Sequence, residues 1–368
     1  MSCKSSNEGV SSGIAPFTLK EVDHPPIKEQ FIPNTPDEYW KEVGKVEEVF
    51  VYPVKSMRGI SVPSATVGKY GLSSGKNVDR QFMIVSEAGK RMITGRRYPN
   101  IVLISANCDE ENNITFSAPN MSDISVEIPT RVHGEIETDV FGSSCKGYDM
   151  GDAIAKWLSK FILNEEGGLR LITHIMPTME KGSNWFSGIT KRFKADKIAD
   201  VESTRAHHSD TPIKPFCLPG DVPLFADGFG YLLLSEASVN KLNDELKDNG
   251  VSDLVVEKTR FRPNIYVSGT KSPFEEDSWL YIRIGDCLFR NAALCTRCVF
   301  TTVNPETGEK HPNQEPLKTL KKFRKTLDLA ERKVYGDSPF FGINLGVDKC
   351  GTIKVGDKIL IGEPILKE

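Results

Sequence analysis

The sequence of 368 residues lacks the long apolar runs, the excess of one charge and the dense cysteine content that define several large classes of protein. No run approaches the roughly 20 apolar residues that a membrane-spanning helix needs. The 47 basic and 50 acidic residues give a formal net charge of only −3, so no general attraction to nucleic acid is expected. Eight scattered cysteines without a secretory signal indicate reduced thiols. The composition is instead typical of a globular protein long enough for two domains.

The first 44 residues are predicted to form a polar tail. They are rich in Ser, Pro, Lys and Glu without a steady period, and a short helix is expected near residues 38–43. Residues 1–26 contain no apolar run like that of a signal peptide, and their acidic side chains argue against an Arg-rich transit peptide. We therefore expect no anchor and no integral membrane segment in this sequence.

Residues 45–175 are predicted to form a first, smaller domain rich in β-structure. Runs of β-branched and aromatic residues predict strands at 49–52, 82–85, 91–94, 101–105 and 124–128. The strands 82–85 and 91–94 flank the turn 86–90 and are expected to pair as a hairpin. Apolar residues at helical spacing after Asp152 predict a helix that closes this domain.

Residues 176–228 are predicted to form a long loop and junction, since they combine Pro, Gly and clustered basic residues with little periodicity. A second domain at 229–364 begins with a helix at about 236–248, followed by the C-capping Gly250. The segments 281–289 and 352–360 each predict a strand, a tight Gly-Asp turn and a second strand. The predicted fold class is mixed α and β but rich in β, with a β-barrel core and flanking helices.

Cys295 and Cys298 form a C-x-x-C motif, which has several ordinary meanings. Two core thiols are the simplest interpretation of the spacing. A structural zinc site needs four ligands, but only His311 lies at a finger-like distance. A thioredoxin-like pair should open a helix, whereas a β-branched run and a Pro-Glu-Thr-Gly turn follow here. Arg297 places a positive charge beside Cys298, which favours a thiolate and suits a soft metal.

The stretch from Cys295 to Gly308 resembles the molybdenum-binding end of the amidoxime-reducing family of MOSC-domain enzymes. Further motifs match in the family's order between about residues 47 and 361: YPVKS at 52–56, DRQF at 79–82, TGR at 94–96, LLSEAS at 233–238, FRPNI at 261–265, EPLKTL at 315–320, KVYG at 333–336, FG at 341–342 and GTIKVGD at 351–357. The resemblance implies a MOSC-type barrel at 229–364, preceded by the N-terminal MOSC domain at 45–175. One departure is Asp-Gly-Phe-Gly at 227–230, where animal members carry small hydroxyl residues.

The family's cofactor is molybdopterin-bound molybdenum, which combines a dithiolene, a pterin and a terminal phosphate. The resemblance makes Cys298 the catalytic metal ligand and leaves Cys295 without an assigned role. The implied cofactor-binding residues are Lys55, Ser56, Arg80, Arg96, Ser235, Arg262, Asn264, Arg297 and Cys298. Each kind of residue also has an ordinary structural alternative, in which the cations are only solvated at the surface, Ser235 caps a helix and Asn264 forms the hydrogen bonds of a turn.

The same resemblance implies an enzyme that reduces N-hydroxylated compounds of the amidoxime type, with nitrite or nitrate as further candidate substrates. Its electrons would come from outside, because the sequence has no haem, dinucleotide or ferredoxin motif. Cytochrome b5 and its NADH-dependent reductase are the implied donors, docking transiently. The implied location is the cytoplasm or the surface of the mitochondrial outer membrane. His207 and His208 are candidates for proton delivery, although exposed loop histidines are the simpler interpretation.

Two other functions remain open. A sulfur-transfer protein would carry a persulfide on Cys298, although no pyridoxal-phosphate domain is attached to generate the sulfur. A non-enzymatic module would store or deliver the cofactor.

Overall fold

The computed structural model describes residues 39–130, 134–141, 143–174, 221 and 223–362. Most of the predicted tail and junction, including His207 and His208, lies outside these residues. The strands are β1 (Trp40–Val51), β2 (Ile60–Val62), β3 (Ser64–Val67), β4 (Leu72–Ser74), β5 (Asn77–Val78), β6 (Phe82–Ser86), β7 (Ser105–Cys108), β8 (Asn113–Ser117), β9 (Ile124–Glu127), β10 (Glu135–Val140), β11 (Ser143–Asp149), β12 (Leu169–Thr173), β13 (Tyr231–Ser235), β14 (Ile265–Ser268), β15 (Tyr281–Ile284), β16 (Cys287–Thr296), β17 (Phe340–Lys349), β18 (Gly351–Lys354) and β19 (Lys358–Gly362). The α-helices are α1 (Asp152–Leu163), α2 (Glu236–Asp248), α3 (Leu317–Phe323) and α4 (Leu329–Tyr335).

Seven strands close into a barrel in the order β14-β13-β17-β16-β15-β19-β1, with β1 pairing back to β14. The long strand β1 makes this closure because its first half pairs with β19 and its second half with β14. Val46, Val49 and Val51 of β1 are fully buried in the barrel core, where burial of apolar side chains stabilises the closed sheet. The β-rich class and the barrel core predicted from the sequence are therefore confirmed.

The helices of the second half pack on the outside of the barrel. Helix α2 buries Val239, Leu242 and Leu246 in a cluster that also contains Phe50, near the end of β1, and Tyr52, which directly follows β1. Helix α3 adds Leu320 to this cluster. The helix predicted at 236–248 is confirmed at both ends. These contacts fix Tyr52, and with it the end of β1, against the outer helices.

The first half of the chain forms a second cluster of β-structure. The sheet β10-β11-β12-β6 and the separate sheet β7-β8-β9 enclose a core to which α1 adds Ile154, Leu158 and Ile162. The predicted hairpin pairing is present, with Ser86 N donating to Arg91 O and Ile93 N to Ile84 O, both at 2.8 Å. The expected strand at 91–94 is wrong, since this segment makes only an isolated bridge between Met92 and Val85. A parallel bridge between Val54 and Phe82 then joins the end of β1 to β6. The two halves thus meet immediately after β1.

Two other local predictions are wrong. Residues 40–43, expected to be helical, begin β1 instead, because they pair with β19 near the far end of the chain. Residues 101–105, expected to be a strand, mostly belong to the 3-10 helix Pro99–Leu103, in which proline occupies a first-turn position. The segments 281–289 and 352–360 are strand-turn-strand units as predicted, although β18 pairs with β3 while β19 joins the barrel.

None of the helices in the described part of the chain combines the length and apolar character needed to cross a membrane.

Candidate functional site

Lys55 and Arg96 meet at a single carboxylate, that of Asp227. Lys55 is buried, and its ammonium donates to Phe225 O at 2.7 Å and forms an ion pair with Asp227. Arg96 Nη2 lies 3.3 Å from the other oxygen of Asp227. Burial lowers the pKa of Lys55, against the opposing effect of Asp227. Desolvation raises the pKa of Asp227, but the neighbouring positive charges outweigh it and the net shift is downward.

Asp79 is the centre of a second, buried group of polar side chains. Its Oδ1 accepts hydrogen bonds from Tyr52 N and from Asn264 Nδ2, both at 2.9 Å. Its Oδ2 accepts from Arg80 Nη1 at 2.5 Å. Asn264 is 1% exposed and also accepts from Arg80 Nη1 at 3.2 Å. The carboxylate and the amide therefore hold Arg80 in one orientation, which is a structural role for Asn264 beyond the turn expected from the sequence.

Arg262 and Arg80 both stack on the ring of Tyr52. Their Cζ atoms lie 4.2 and 4.5 Å from the ring centroid, within the range of a cation–π interaction. Nη1 of Arg262 donates to Met57 O at 2.5 Å, whereas its buried Nη2 has no partner among the described residues. Burial, followed by the charge of Arg80, lowers the pKa of Arg262 to about 10. Arg262 remains protonated at neutral pH and has donor capacity left for a ligand.

Three residues of the site have backbone conformations that side-chain-bearing residues rarely adopt. Ser56, Arg80 and Arg262 have φ of 70°, 50° and 56°. The left-handed region costs roughly 1–2 kcal/mol for a residue with a Cβ. Such outliers concentrate where the surrounding structure holds a functional side chain in place. Ser56 is buried directly after Lys55.

Cys298 follows β16 and begins the 3-10 turn Val299–Thr302. It is partly exposed, and its carbonyl accepts from Thr301 N at 3.1 Å and from the Thr301 hydroxyl at 2.9 Å. Phe300 packs so closely on Gly95 that a Cβ there would lie 2.2 Å from the ring, and its centroid is 5.8 Å from Arg262 Cζ. We call residues 297–302 the cysteine loop. The turn therefore brings this loop against Gly95, beside Arg96, and against Arg262.

The guanidinium of Arg297 holds the loop in place through backbone carbonyls. Nε donates to Phe341 O at 2.8 Å and Nη1 to Phe261 O at 3.2 Å, while the buried Nη2 is unpartnered within the described ranges. Burial raises the pKa of Cys295, while the charge of Arg297 opposes this shift.

Ser235 differs from the other predicted cofactor-binding residues. It is fully buried as the N-cap of α2, accepts from Ser238 N at 3.2 Å and donates to Glu276 Oε2 at 2.9 Å. Burial raises the pKa of Glu276. The Ser235 hydroxyl therefore caps α2, and one hydroxyl rarely serves a cap and a ligand together. Its cofactor contact stays a prediction.

These groups together fit an anionic ligand with one soft metal contact. Lys55, Arg80, Arg96 and Arg262 supply positive charge around one region. Nη2 of Arg262, which has no partner in the described part of the chain, is a buried donor that a phosphate or pterin oxygen could satisfy. Within the described ranges no group of three or more His, Cys, Asp or Glu side chains could hold a metal ion. A metal carried by its own chelating cofactor needs only a single protein ligand, such as Cys298.

Sequence reasoning missed two residues of this site. Asp79 was part of a matching motif but was given no role, and Asp227 was noted only as part of a departure from the family pattern. Both are acidic residues that neutralise and orient the cations. An acid directly beside an arginine, as in Asp79-Arg80, is the sequence feature that could have identified Asp79. Asp227 has no such local feature, because its partner Lys55 lies 172 residues away.

Two family models match the chain. "MOSC N-terminal beta barrel domain" matches residues 43–165 and "MOSC domain" matches residues 221–360. The chain is 35% identical over 325 residues to "Mitochondrial amidoxime-reducing component 1" of Homo sapiens, covering 88% of this chain and 85% of that protein. It is 33% identical over 323 residues to "Mitochondrial amidoxime reducing component 2" of Bos taurus, covering 87% and 83%. The Xenopus laevis component 1 is also 33% identical, over 321 residues, covering 87% and 82%.

Proposed function

Because the chain belongs to the MOSC-domain family, we propose that it is a molybdenum-cofactor reductase of N-hydroxylated compounds. The observation that carries the proposal is the position of Cys298, a partly exposed residue on a loop packed against the residues beside Arg96 and against Arg262. The names of the relatives supply the reaction class, amidoxime reduction. Nitrite and nitrate are further substrates within the proposal.

The cations would hold the phosphate and pterin of molybdopterin. Arg262 has a donor without a partner among the described residues, and Arg80 is oriented by Asp79 and Asn264, so both would present charge to an anion without first reorganising. Lys55 and Arg96 share Asp227, whose carboxylate would limit the positive charge they offer. Ser56 would add a hydroxyl from the same loop as Lys55. The bound cofactor would supply the two-electron redox chemistry.

The reaction removes oxygen from nitrogen. An amidoxime, two electrons and two protons give an amidine and water. Cys298 would fix the metal and tune it through its thiolate, and the hydrogen bonds of Arg297 to Phe341 O and Phe261 O would keep the cysteine loop in position. The electrons would arrive from cytochrome b5, reduced by its NADH-dependent reductase. The protein would work in the cytoplasm or at the surface of the mitochondrial outer membrane, since its relatives are named as mitochondrial proteins.

One experiment separates this proposal from its two rivals. Purified protein is analysed for molybdenum and pterin and then assayed for conversion of a simple aromatic amidoxime to the amidine with a chemical reductant. Cofactor together with amidine formation supports the reductase. Cofactor without amidine formation favours a storage module, and a persulfide on Cys298, seen as a mass increase of one sulfur atom, favours sulfur transfer.

A further inference from the structure

A basic surface covers α3, α4 and the segment that joins them. Between residues 317 and 335 the sequence has seven basic and two acidic side chains, although the whole chain carries a net charge of −3. Helix α3 buries Leu317 and Leu320 against the protein, so its lysines point outward. We call the exposed basic residues of these two helices the lysine surface: Lys318, Lys321, Lys322, Arg332 and Lys333.

The two helices form one continuous surface because Asp337 joins them. Its carboxylate lies 3.0 Å from Lys325 Nζ, which follows α3, and 3.6 Å from Arg332 Nη2 on α4. The charges of Lys325, Arg332 and Lys321 all lower the pKa of Asp337, the Lys325 hydrogen bond most strongly. The seven basic side chains outnumber Asp337 and the two acidic residues of the segment, so the surface is positively charged.

Two exposed leucines lie within this basic surface. Leu327 is 58% and Leu329 74% exposed, although large apolar side chains are usually buried. An apolar centre inside a charged rim is typical of a protein interface. The exposed Asp328 separates the two leucines, and its charge would be repelled by an anionic bilayer and would resist entry into lipid. The surface therefore fits an acidic protein better than a membrane.

The lysine surface is connected to the cysteine loop by one strand. Arg324, at the end of α3, donates through Nε to Phe340 O at 2.9 Å, and Arg297 donates through Nε to the next carbonyl, Phe341 O, at 2.8 Å. Helix α3 also packs on the 3-10 turn that follows Cys298. A protein docked on α3 would thus lie against the elements that carry the proposed metal ligand.

We propose that the lysine surface is the docking site for a small redox protein whose exposed cofactor edge is ringed by carboxylates, and that electrons enter the enzyme there. The inference rests on the proposed function, which requires an external donor. With a one-electron donor, two successive encounters oxidise two donor molecules, consume two protons and convert one amidoxime to amidine and water. Opposite charge on the two partners would steer each encounter and raise its rate, and salt would weaken this effect.

The test uses the full-length holoenzyme with cytochrome b5 as the probe. The variant Lys318→Glu/Lys321→Glu reverses two exposed charges on the outer face of α3, and Lys156→Glu, on the exposed face of α1, is the matched control. At low ionic strength the double variant is expected to lose roughly tenfold or more in kcat/KM for cytochrome b5. Its turnover with reduced methyl viologen, which needs no protein interface, should stay at the wild-type value. The control should match the wild type in both assays.

Unchanged kcat/KM for cytochrome b5 in the double variant would overturn the docking site. If wild-type protein instead sediments with phosphatidylserine vesicles, and the double variant loses only that property, the surface is a membrane site and the proposal is wrong. A protein without viologen-driven turnover would contradict the proposed function rather than the docking site. In that case binding of oxidised cytochrome b5, followed by calorimetry in low salt, decides the docking site: binding lost in the double variant supports it, and equal or absent binding rejects it.

Discussion

Arg262 stacks on Tyr52 with its Cζ 4.2 Å from the ring centroid, and this contact leaves its Nη2 buried but without a partner among the described residues. Arg80 stacks on the same ring, but its Nη1 is bound by Asp79 and Asn264. The two arginines therefore differ in what their removal would disturb. Arg262 is the cleaner probe of ligand binding, since less of the fold depends on it.

Replacing Arg262 with Ala should lower cofactor occupancy. The variant loses a charge-assisted bond to the anion, roughly 1.5–3 kcal/mol of binding free energy. Arg262→Lys should restore it only in part, because an ammonium cannot reproduce a bidentate fork. Molybdopterin per protein, measured after purification, checks both; full occupancy in Arg262→Ala would reject the anchor role. Arg80→Ala should reduce occupancy as well, but also destabilise the fold by about 3 kcal/mol because it leaves Asp79 buried without its counter-charge.

Cys298→Ser should leave a folded protein without reductase activity. Serine is a harder and far less acidic ligand than cysteine, so the metal would lose its proper protein contact. Amidine formation and molybdenum content are the measurements, with circular dichroism as the check on folding. Cys295→Ser is the matched control and should have a mild effect; the reverse pattern would show that the wrong thiol had been assigned.

The chain alone should not oxidise NADH, because its sequence has no evident flavin or nicotinamide motif. Adding cytochrome b5 and its reductase should start turnover of an N-hydroxylated substrate. Absorbance at the NADH band follows both reactions. Rapid NADH-driven reduction by the single chain would contradict an external electron supply.

His174 should make the folded protein less stable as the pH decreases from about 6.5 to about 4. This ring stacks on Phe225 with 4.1 Å between centroids, and burial lowers its pKa from 6.5 to about 4. Between these pH values the unfolded chain binds a proton at His174 that the folded protein does not. The free energy of unfolding is therefore unaffected by His174 above pH 6.5 and is lowered by about 3 kcal/mol at pH 4. His174→Phe keeps an aromatic ring without titration. Urea unfolding at several pH values should show a smaller acid loss in that variant than in wild type.

Local patterns predicted the elements whose partners are near in sequence. The hairpin of β6 with residues 91–94 and helix α2 follow from turn residues, a capping serine and apolar spacing within a few residues of each other. The start of β1 could not be found in this way, because its partners are β19 and β14, more than 200 residues away. A segment rich in Glu and Lys gives no strong preference until those partners are present.

The candidate site shows the same division. Its cations and its cysteine were identified from motifs, but their mutual geometry was not. Asn264 reaches Asp79 across 185 residues, and Lys55 reaches Asp227 across 172. The sequence therefore predicts which charges would attract a ligand, while the acids that orient those charges became visible only in the folded chain.

The positive φ angles of Ser56, Arg80 and Arg262 mean that backbone stability and ligand binding favour different residues at these positions. Glycine at any of these positions would relieve backbone strain of about 1 kcal/mol, because it occupies the left-handed region without steric cost. The same exchange would delete the hydroxyl or guanidinium. Thermostabilised descendants of this protein, chosen only for resistance to heat, would therefore be expected to gain glycine at Ser56 or Arg262 and to bind the proposed cofactor less tightly. Arg80 should be kept, because the loss of the charge paired with Asp79 outweighs the relief of strain.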